Sequence, residues 1–260
     1  MTTPLDPELA GPVADGPGAT TRRRRFSHRL LVLITLTVVG LVGVAGGGVG
    51  LARELTRTAT PAEQAAAVQQ EIATRWQRLP AGKVFPAQLT FPYTVYSDVW
   101  RTAARLVGIA PPVSCAVALE PAAYQVIRGL RCVTVLRATY VDASGTTATT
   151  VGIAVFRSTN TAQTAQIALS SLAPAEGLHA VPYSGTVTGT FGDPSRGEFG
   201  TAIAGPYLLL YTAGFTDGIP GPLAATDTYE PYDLGTGVLA VLARVLTAHG
   251  SPCRMKDIRC

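Results

Sequence analysis

The sequence contains few of the residues from which enzymes build reactive centres, with three histidines and four cysteines among 260 residues. His28 stands in an arginine cluster near the N-terminus, which leaves His179 and His249 for chemistry in the rest of the chain. No G-x-S-x-G, Walker, H-E-x-x-H or G-x-G-x-x-G pattern occurs, and these are the patterns that mark several classes of hydrolase and nucleotide-binding protein. We therefore expect a non-catalytic protein without a cofactor.

Charged residues are also sparse, at 15% of the sequence, and the net charge is +4. Five of the arginines, Arg22–Arg25 and Arg29, lie near the N-terminus. From residue 53 onward the sequence contains 16 basic and 14 acidic side chains. That near balance provides no broad surface for neutralising phosphates. Nucleic-acid binding is rejected on this ground.

A long apolar run follows the arginine cluster. Residues 30–52 contain no charge, and as a helix they would span about 34 Å, enough to cross the hydrocarbon core of a bilayer. The heavier basic flank precedes the run, so the N-terminus is expected in the cytoplasm and the C-terminal part outside. The sequence thus predicts a disordered tail at 1–29, then a single transmembrane helix at 30–52 in a plasma membrane.

A cleaved leader is the alternative to this anchor. The apolar region of a signal peptide is usually about 7 to 15 residues long, and the run in this sequence is longer. Arg23-Arg24-Arg25-Phe26 resembles the core of a twin-arginine export signal, although Ser27 and His28 depart from that motif. The uncleaved anchor is preferred, and the leader stays open.

Gly43 and Gly47 stand four residues apart within the apolar run. This spacing allows two membrane helices to approach closely, which predicts a homodimer through these glycines. The alternative is that the glycines only reflect the overall composition.

The remaining residues predict one membrane-proximal linker helix at 53–82 and one extracytoplasmic domain at 83–260. Thr60-Pro61-Ala62-Glu63 matches a capping box, with Pro at the first helical position. A second helix is predicted from Ser97 through Val107, with Trp100 in the core. Two β-branched runs, 131–142 and 146–156, flank a short turn containing Gly145 and predict a hairpin.

The other predicted elements complete an α+β fold with a mainly antiparallel sheet packed by helices. They are a strand at 115–119, a helix after Asn160, strands at 186–191, 198–204 and 207–213, and a last helix at 233–249.

All four cysteines, Cys115, Cys132, Cys253 and Cys260, lie in the predicted outer part. An even number of cysteines in an oxidising compartment indicates two disulfides. Pairing of Cys115 with Cys132 and of Cys253 with Cys260 is favoured because it closes small loops, while a long-range pair such as Cys132–Cys253 remains open. Zinc is disfavoured, since no C-x-x-C pair or neighbouring histidine occurs.

Two enzymatic hypotheses remain. One is a Ser-His-Asp arrangement that uses His179 with Ser184. The other is a glycosidase that uses a pair of carboxylates. The carboxylates available for such a pair are Asp193, Glu198, Asp217, Asp227 and Glu230. Separately, the loop at 212–222 is a candidate binding site, with a plain connecting loop as the alternative.

Several short motifs resemble a family of uncharacterised actinobacterial single-pass membrane or secreted proteins. The motifs are Arg75-Trp76, Leu79-Pro80-Ala81-Gly82, Phe85-Pro86, Arg137-Ala138-Thr139-Tyr140-Val141-Asp142, Cys253 and Cys260. The resemblance implies an extracytoplasmic location and no reaction or ligand. We expect a membrane-anchored binding domain or an accessory subunit with an envelope protein partner. A cell-envelope hydrolase and a transmembrane signalling or sensor protein are the alternatives.

Overall fold

The computed structural model describes residues 28–95, 98–172, 176–219 and 232–249. The chain divides into two compact units, Met1–Arg57 and Thr58–Cys260. The described part of the first unit is helix α1 (His28–Thr56). Its segment Leu30–Ala52 is long and apolar enough to cross a membrane, and its place near the N-terminus also suits a signal sequence.

Helix α1 satisfies its own polar groups. The hydroxyl of Thr35 donates to the carbonyl of Leu31 at 2.7 Å, and that of Thr37 donates to the carbonyl of Leu33 at 2.7 Å. Such bonds to the preceding turn give both hydroxyls an acceptor within the helix, which a helix in an apolar solvent requires. Outside the backbone of α1 itself, no described atom lies within 4 Å of a Cβ added at Gly43 or Gly47, and the homodimer through these glycines remains a prediction.

The second unit is an α+β fold, as predicted, with a six-stranded antiparallel sheet in the order β1-β2-β3-β4-β6-β5. Its strands are β1 (Gln88–Val95), β2 (Asp98–Val113), β3 (Thr134–Asp142), β4 (Thr147–Val155), β5 (Arg196–Ala204) and β6 (Tyr207–Phe215). Its helices are α2 (Pro61–Arg78), α3 (Ala81–Val84), α4 (Cys115–Ala118), α5 (Pro121–Ile127), α6 (Thr159–Leu169) and α7 (Tyr232–Thr247). The predicted hairpin at β3 and β4 is confirmed.

Helices cover both faces of the sheet, which explains why every residue of β4 is buried. Alternate residues of β6 supply the two cores: Tyr207 and Leu209 face one side, while Leu208 and Leu210 face the other. The first core also contains side chains of α2 and α7, and the second contains side chains of α4, α5 and α6. We call the side that carries α4, α5 and α6 the second face.

Helix α2 begins with the predicted capping box, since the hydroxyl of Thr60 accepts from the Glu63 amide and the Glu63 carboxylate accepts from the Thr60 amide at 2.8 Å. Its residues Val68 and Ile72 are buried in the first core. The guanidinium of Arg75 donates to the carbonyls at the end of α7, including that of Leu246 at 3.1 Å. The predicted linker helix therefore packs into the same core as the sheet.

The predicted helix at 97–107 is wrong, because its described residues lie in β2. That strand pairs with β1 from Asp98 to Arg105 and with β3 from Ala104 to Val113, and pairing on both sides outweighs a local helical pattern. Trp100 was predicted in the core, yet it is 56% exposed. The reason is that, among the described residues, the part of β2 before Ala104 pairs with β1 alone.

Two predicted strands are also wrong. Residues 115–118 form the short helix α4, in which the amide of Ala118 donates to the carbonyl of Ser114. Residues 186–191 form successive turns, because the amides of Gly189 and Phe191 each donate to the carbonyl three residues earlier, those of Thr186 and Thr188. These donors are therefore used locally and do not join a sheet.

The helix predicted after Asn160 is confirmed as α6, although Ser158 caps it. The strands predicted at 198–204 and 207–213 and the last helix are confirmed as β5, β6 and α7. The predicted Cys115–Cys132 disulfide is present. Cys253 and Cys260 lie outside the described residues.

Candidate functional site

Residues 178–183 cross the second face of the sheet, directly above β2, β3 and β4. The amide of Val181 donates to the hydroxyl of Thr150 at 2.9 Å, and its carbonyl accepts from the hydroxyl of Thr139 at 2.7 Å. A side chain at Gly108 would come within 2.3 Å of the Tyr183 ring. The absence of a side chain at Gly108 thus lets the crossing segment lie on the strands.

A short antiparallel bridge at Leu119 and Leu178 joins this segment to the loop before α5. The amide of His179 donates to the carbonyl of Ala118 at 3.0 Å, and the amide of Glu120 donates to the carbonyl of Gly177 at 2.9 Å. The bridge brings Glu120 beside His179. The Cys115–Cys132 disulfide ties α4, which leads into this loop, to the residues just before β3.

Four side chains form a polar cluster on the second face: Glu120, His179, Asp193 and Arg196. Nδ1 of His179 lies 2.6 Å from Oδ2 of Asp193 and 3.4 Å from Oε1 of Glu120. The other carboxylate oxygen of Asp193, Oδ1, accepts from the amide of Ala180 at 2.8 Å. Asp193 therefore fixes both the imidazole ring and the backbone that follows it.

Arg196 links the members of the polar cluster through its guanidinium. Its side chain is 4% exposed and pairs with the Glu120 carboxylate. Its Nε donates to the carbonyl of Asp193 at 3.0 Å, and its Nη1 donates to the carbonyl of Leu178 at 2.9 Å. This buried cation contacts both of the acids that lie beside Nδ1 of His179.

The donor atoms of Glu120, His179 and Asp193 lie within 4.8 Å of one another, a spacing that could accommodate a metal ion. Arg196 already supplies the positive charge, since it pairs with Glu120 and its Nε lies 3.3 Å from Oδ1 of Asp193. A divalent cation there would stand beside a fixed guanidinium and share the same oxygens. The polar cluster is therefore better described as an ion-pair network.

A second arginine on the same face lacks such partners. Arg137 of β3 makes no hydrogen bond or ion pair to any residue that the structure describes, and its Nε is inaccessible to solvent. The hydroxyl of Tyr183 is likewise inaccessible and has no partner in the described part of the chain. Burial lowers the pKa of Arg137, with Tyr183 and Asp193 acting in the opposite direction.

Burial also raises the pKa of the Tyr183 hydroxyl, and the charge of Arg137 opposes that change. Arg137 and Tyr183 therefore lie close enough to affect each other electrostatically. Both are hydrogen-bond donors at the pH of most experiments. The arrangement can bind an acceptor group, and we call Arg137 and Tyr183 the donor pair.

The structure brings together only part of the predicted sites. His179 contacts the acids Asp193 and Glu120, while Ser184 is exposed in the next turn and has no hydrogen bond to His179 in the structure. Glu198 accepts from the Tyr211 hydroxyl. The carboxylate of Asp217 accepts from a nearby amide.

Asp227 and Glu230 lie outside the described residues, as does the end of the 212–222 loop. Sequence reasoning missed Glu120, Arg137 and Arg196. Arg137 carried a signal, because a charge in the middle of a largely apolar, β-branched run requires an explanation.

Two further features bear on the location of the site. The disulfide Cys115–Cys132 indicates an oxidising compartment, and α1 suits a membrane anchor or a signal sequence.

Comparison of the chain with protein-family models, with curated proteins and with solved structures finds no match.

Proposed function

We propose that the chain is a non-catalytic extracytoplasmic binding protein, anchored in the plasma membrane by α1, which takes its ligand on the second face around residues 178–183. One observation carries this proposal: Arg137 is half-buried on that face with no acceptor among the described residues. Buried polar groups in native proteins are nearly always satisfied, and an unsatisfied one needs a reason. A bound ligand would provide the missing acceptor.

The neighbouring polar cluster supports the same surface. Its bonds fix the ring of His179 through Nδ1, and Nε2 of His179 makes no hydrogen bond within the described residues. The backbone of residues 178–181 is fixed by Thr139, Thr150 and Asp193. Rigid placement of side chains that still have free donor or acceptor capacity is what a binding site requires.

A photo-crosslinking experiment in the native host tests this surface. A photoreactive amino acid replaces Ser184, which is exposed beside Tyr183, and in a matched control it replaces Gln163, which is exposed on α6. We expect a discrete adduct from position 184 and none from position 163. Equal yields from the two positions, or no adduct from position 184, would contradict the proposal.

A cell-envelope hydrolase is the second candidate, favoured by the 2.6 Å contact between His179 and Asp193. A carboxylate on Nδ1 orients an imidazole so that its other nitrogen can act as a general base. The nucleophile would be Ser184, which has no hydrogen bond to His179. A fluorophosphonate probe separates the two functions: labelling that disappears in both Ser184→Ala and His179→Ala would favour the hydrolase.

A transmembrane signalling role and an envelope protein partner also remain proposals. Crosslinking in the native host followed by mass spectrometry would identify such a partner.

A further inference from the structure

We infer that the ligand of the second face presents an oxyanion, a carboxylate or a phosphoryl group, and that the donor pair Arg137 and Tyr183 binds it. This inference rests on the proposed function and names the chemistry of its ligand. Two observations support it. Hydrogen-bond donors lack partners, one of them on a cation, and the carboxylate of the neighbouring Asp193 is already paired with other groups.

The two arginines on this face provide an internal comparison. Arg196 has a carboxylate and two backbone carbonyls as acceptors. Arg137 has no acceptor in the described residues, although its Nε is inaccessible to solvent. A guanidinium keeps its charge in proteins, so Arg137 cannot relieve its burial by losing a proton. An anionic acceptor would relieve it.

The neighbours of Arg137 do not supply this acceptor. Its cross-strand neighbours are Ala110 on β2 and Gly152 on β4, and neither has a polar side chain. Asp193 is the acid close enough to affect Arg137 electrostatically. Both oxygens of Asp193 are already used, one by His179 and the other by the amide of Ala180 and by Arg196.

The hydroxyl of Tyr183 defines the ligand further. It is a second inaccessible donor without a partner in the described residues, and it lies within electrostatic range of Arg137. The guanidinium disfavours a cationic ligand by its charge and has no acceptor to offer to a donor. A carboxylate or phosphoryl group offers several acceptor oxygens, and a guanidinium can bond two of them at once.

The test measures binding of sodium acetate, sodium phosphate and sodium sulfate to the full chain in detergent, at constant ionic strength with chloride as the reference. Thermal melting and the Nε resonance of Arg137 in NMR spectra are the readouts. We expect at least one of these oxyanions to raise the melting temperature and to shift the Arg137 resonance. Acetate and phosphate as separate arms distinguish a carboxylate from a phosphoryl ligand.

Variants locate the effect. Arg137→Gln should weaken binding by about tenfold or more, since a charged hydrogen bond is lost, and Tyr183→Phe should weaken it severalfold. Arg128→Gln is the matched control, because Arg128 is exposed and belongs to neither the donor pair nor the polar cluster, and it should bind as the parent does. The inference would be overturned if no oxyanion shifted either readout, or if Arg128→Gln weakened binding as much as Arg137→Gln.

A further measurement excludes a purely structural role for Arg137. Arg137→Met should melt at or above the temperature of the parent without added oxyanion, because it removes a buried charge that has no partner. Marked destabilisation by Arg137→Met would contradict the inference. If crosslinking from position 184 succeeds while no oxyanion binds, the ligand class is wrong and the proposed function stands; if both fail, both are wrong.

Discussion

Replacing Arg196 with leucine should destabilise the second unit by about 3 kcal/mol. The side chain is 4% exposed, whereas those of its acidic partners Glu120 and Asp193 are 19% and 38% exposed. Loss of one member of a buried ion pair costs roughly 3 to 5 kcal/mol, because the other charge remains without its partner. Solvent screens Asp193 in part, which places the expected cost at the lower end of that range.

The measurement is thermal and guanidinium-induced unfolding of the full chain in detergent, followed by tryptophan fluorescence. Both tryptophans, Trp76 and Trp100, lie in the second unit, so the signal does not include α1. A loss of about 3 kcal/mol corresponds to a fall in melting temperature of roughly 6 to 12 °C for a unit of this size. Arg128→Leu, at an exposed position, should change the stability by less than about 0.5 kcal/mol.

A double-mutant cycle separates the ion pair from simple loss of packing. Glu120→Gln removes the charge that Arg196 neutralises, so the double variant should be less destabilised than the sum of the two single variants, by about 1 kcal/mol or more. A cost below about 1 kcal/mol for Arg196→Leu, or additivity in the cycle, would refute the interpretation of the polar cluster as an ion-pair network.

Three further predictions concern stability. Replacing Cys115 and Cys132 by alanine should cost about 3 kcal/mol, since the disulfide closes a loop with a sequence separation of 17; unchanged unfolding in denaturant would contradict this. Arg75→Met should cost about 2 kcal/mol because the end of α7 loses its donor, and equal stability of Arg75→Met and Arg78→Met, the latter at an exposed site, would contradict it. Burial raises the pKa of Tyr140, so its contribution to stability is complete below about pH 10 and is lost at higher pH. Tyr140→Phe should therefore lose less free energy of unfolding than the parent between about pH 9 and pH 11, and equal losses would contradict the assignment.

Local patterns predicted the elements that depend on local interactions. The capping box at Thr60 and Glu63 and the β3–β4 hairpin each need only neighbouring residues. Strand β2 could not be predicted in this way, because its conformation depends on pairing with β1 and β3 along 16 residues. The core position predicted for Trp100 was wrong for the same reason. The strand register places Trp100 in the part of β2 that precedes its pairing with β3.

The polar cluster lay beyond sequence reasoning for a related reason. Glu120 directly precedes α5, Arg196 begins β5, and His179 follows the bridge at Leu178. No spacing in the sequence indicates that these residues meet. Arg137 could have been selected, because it is a charge in the middle of an apolar strand pattern, but its lack of an acceptor is visible only once its neighbours Ala110 and Gly152 are placed.

The location of the second unit outside the cytoplasm is the claim on which the binding proposal depends. It is tested by labelling intact cells with a membrane-impermeant maleimide, using the full chain with a single added cysteine and the parent chain as the background control. Gln163→Cys, at an exposed position on α6, should react in intact cells, whereas Ser27→Cys, before the apolar run, should react only after permeabilisation. Reaction of Gln163→Cys only after permeabilisation would contradict the account.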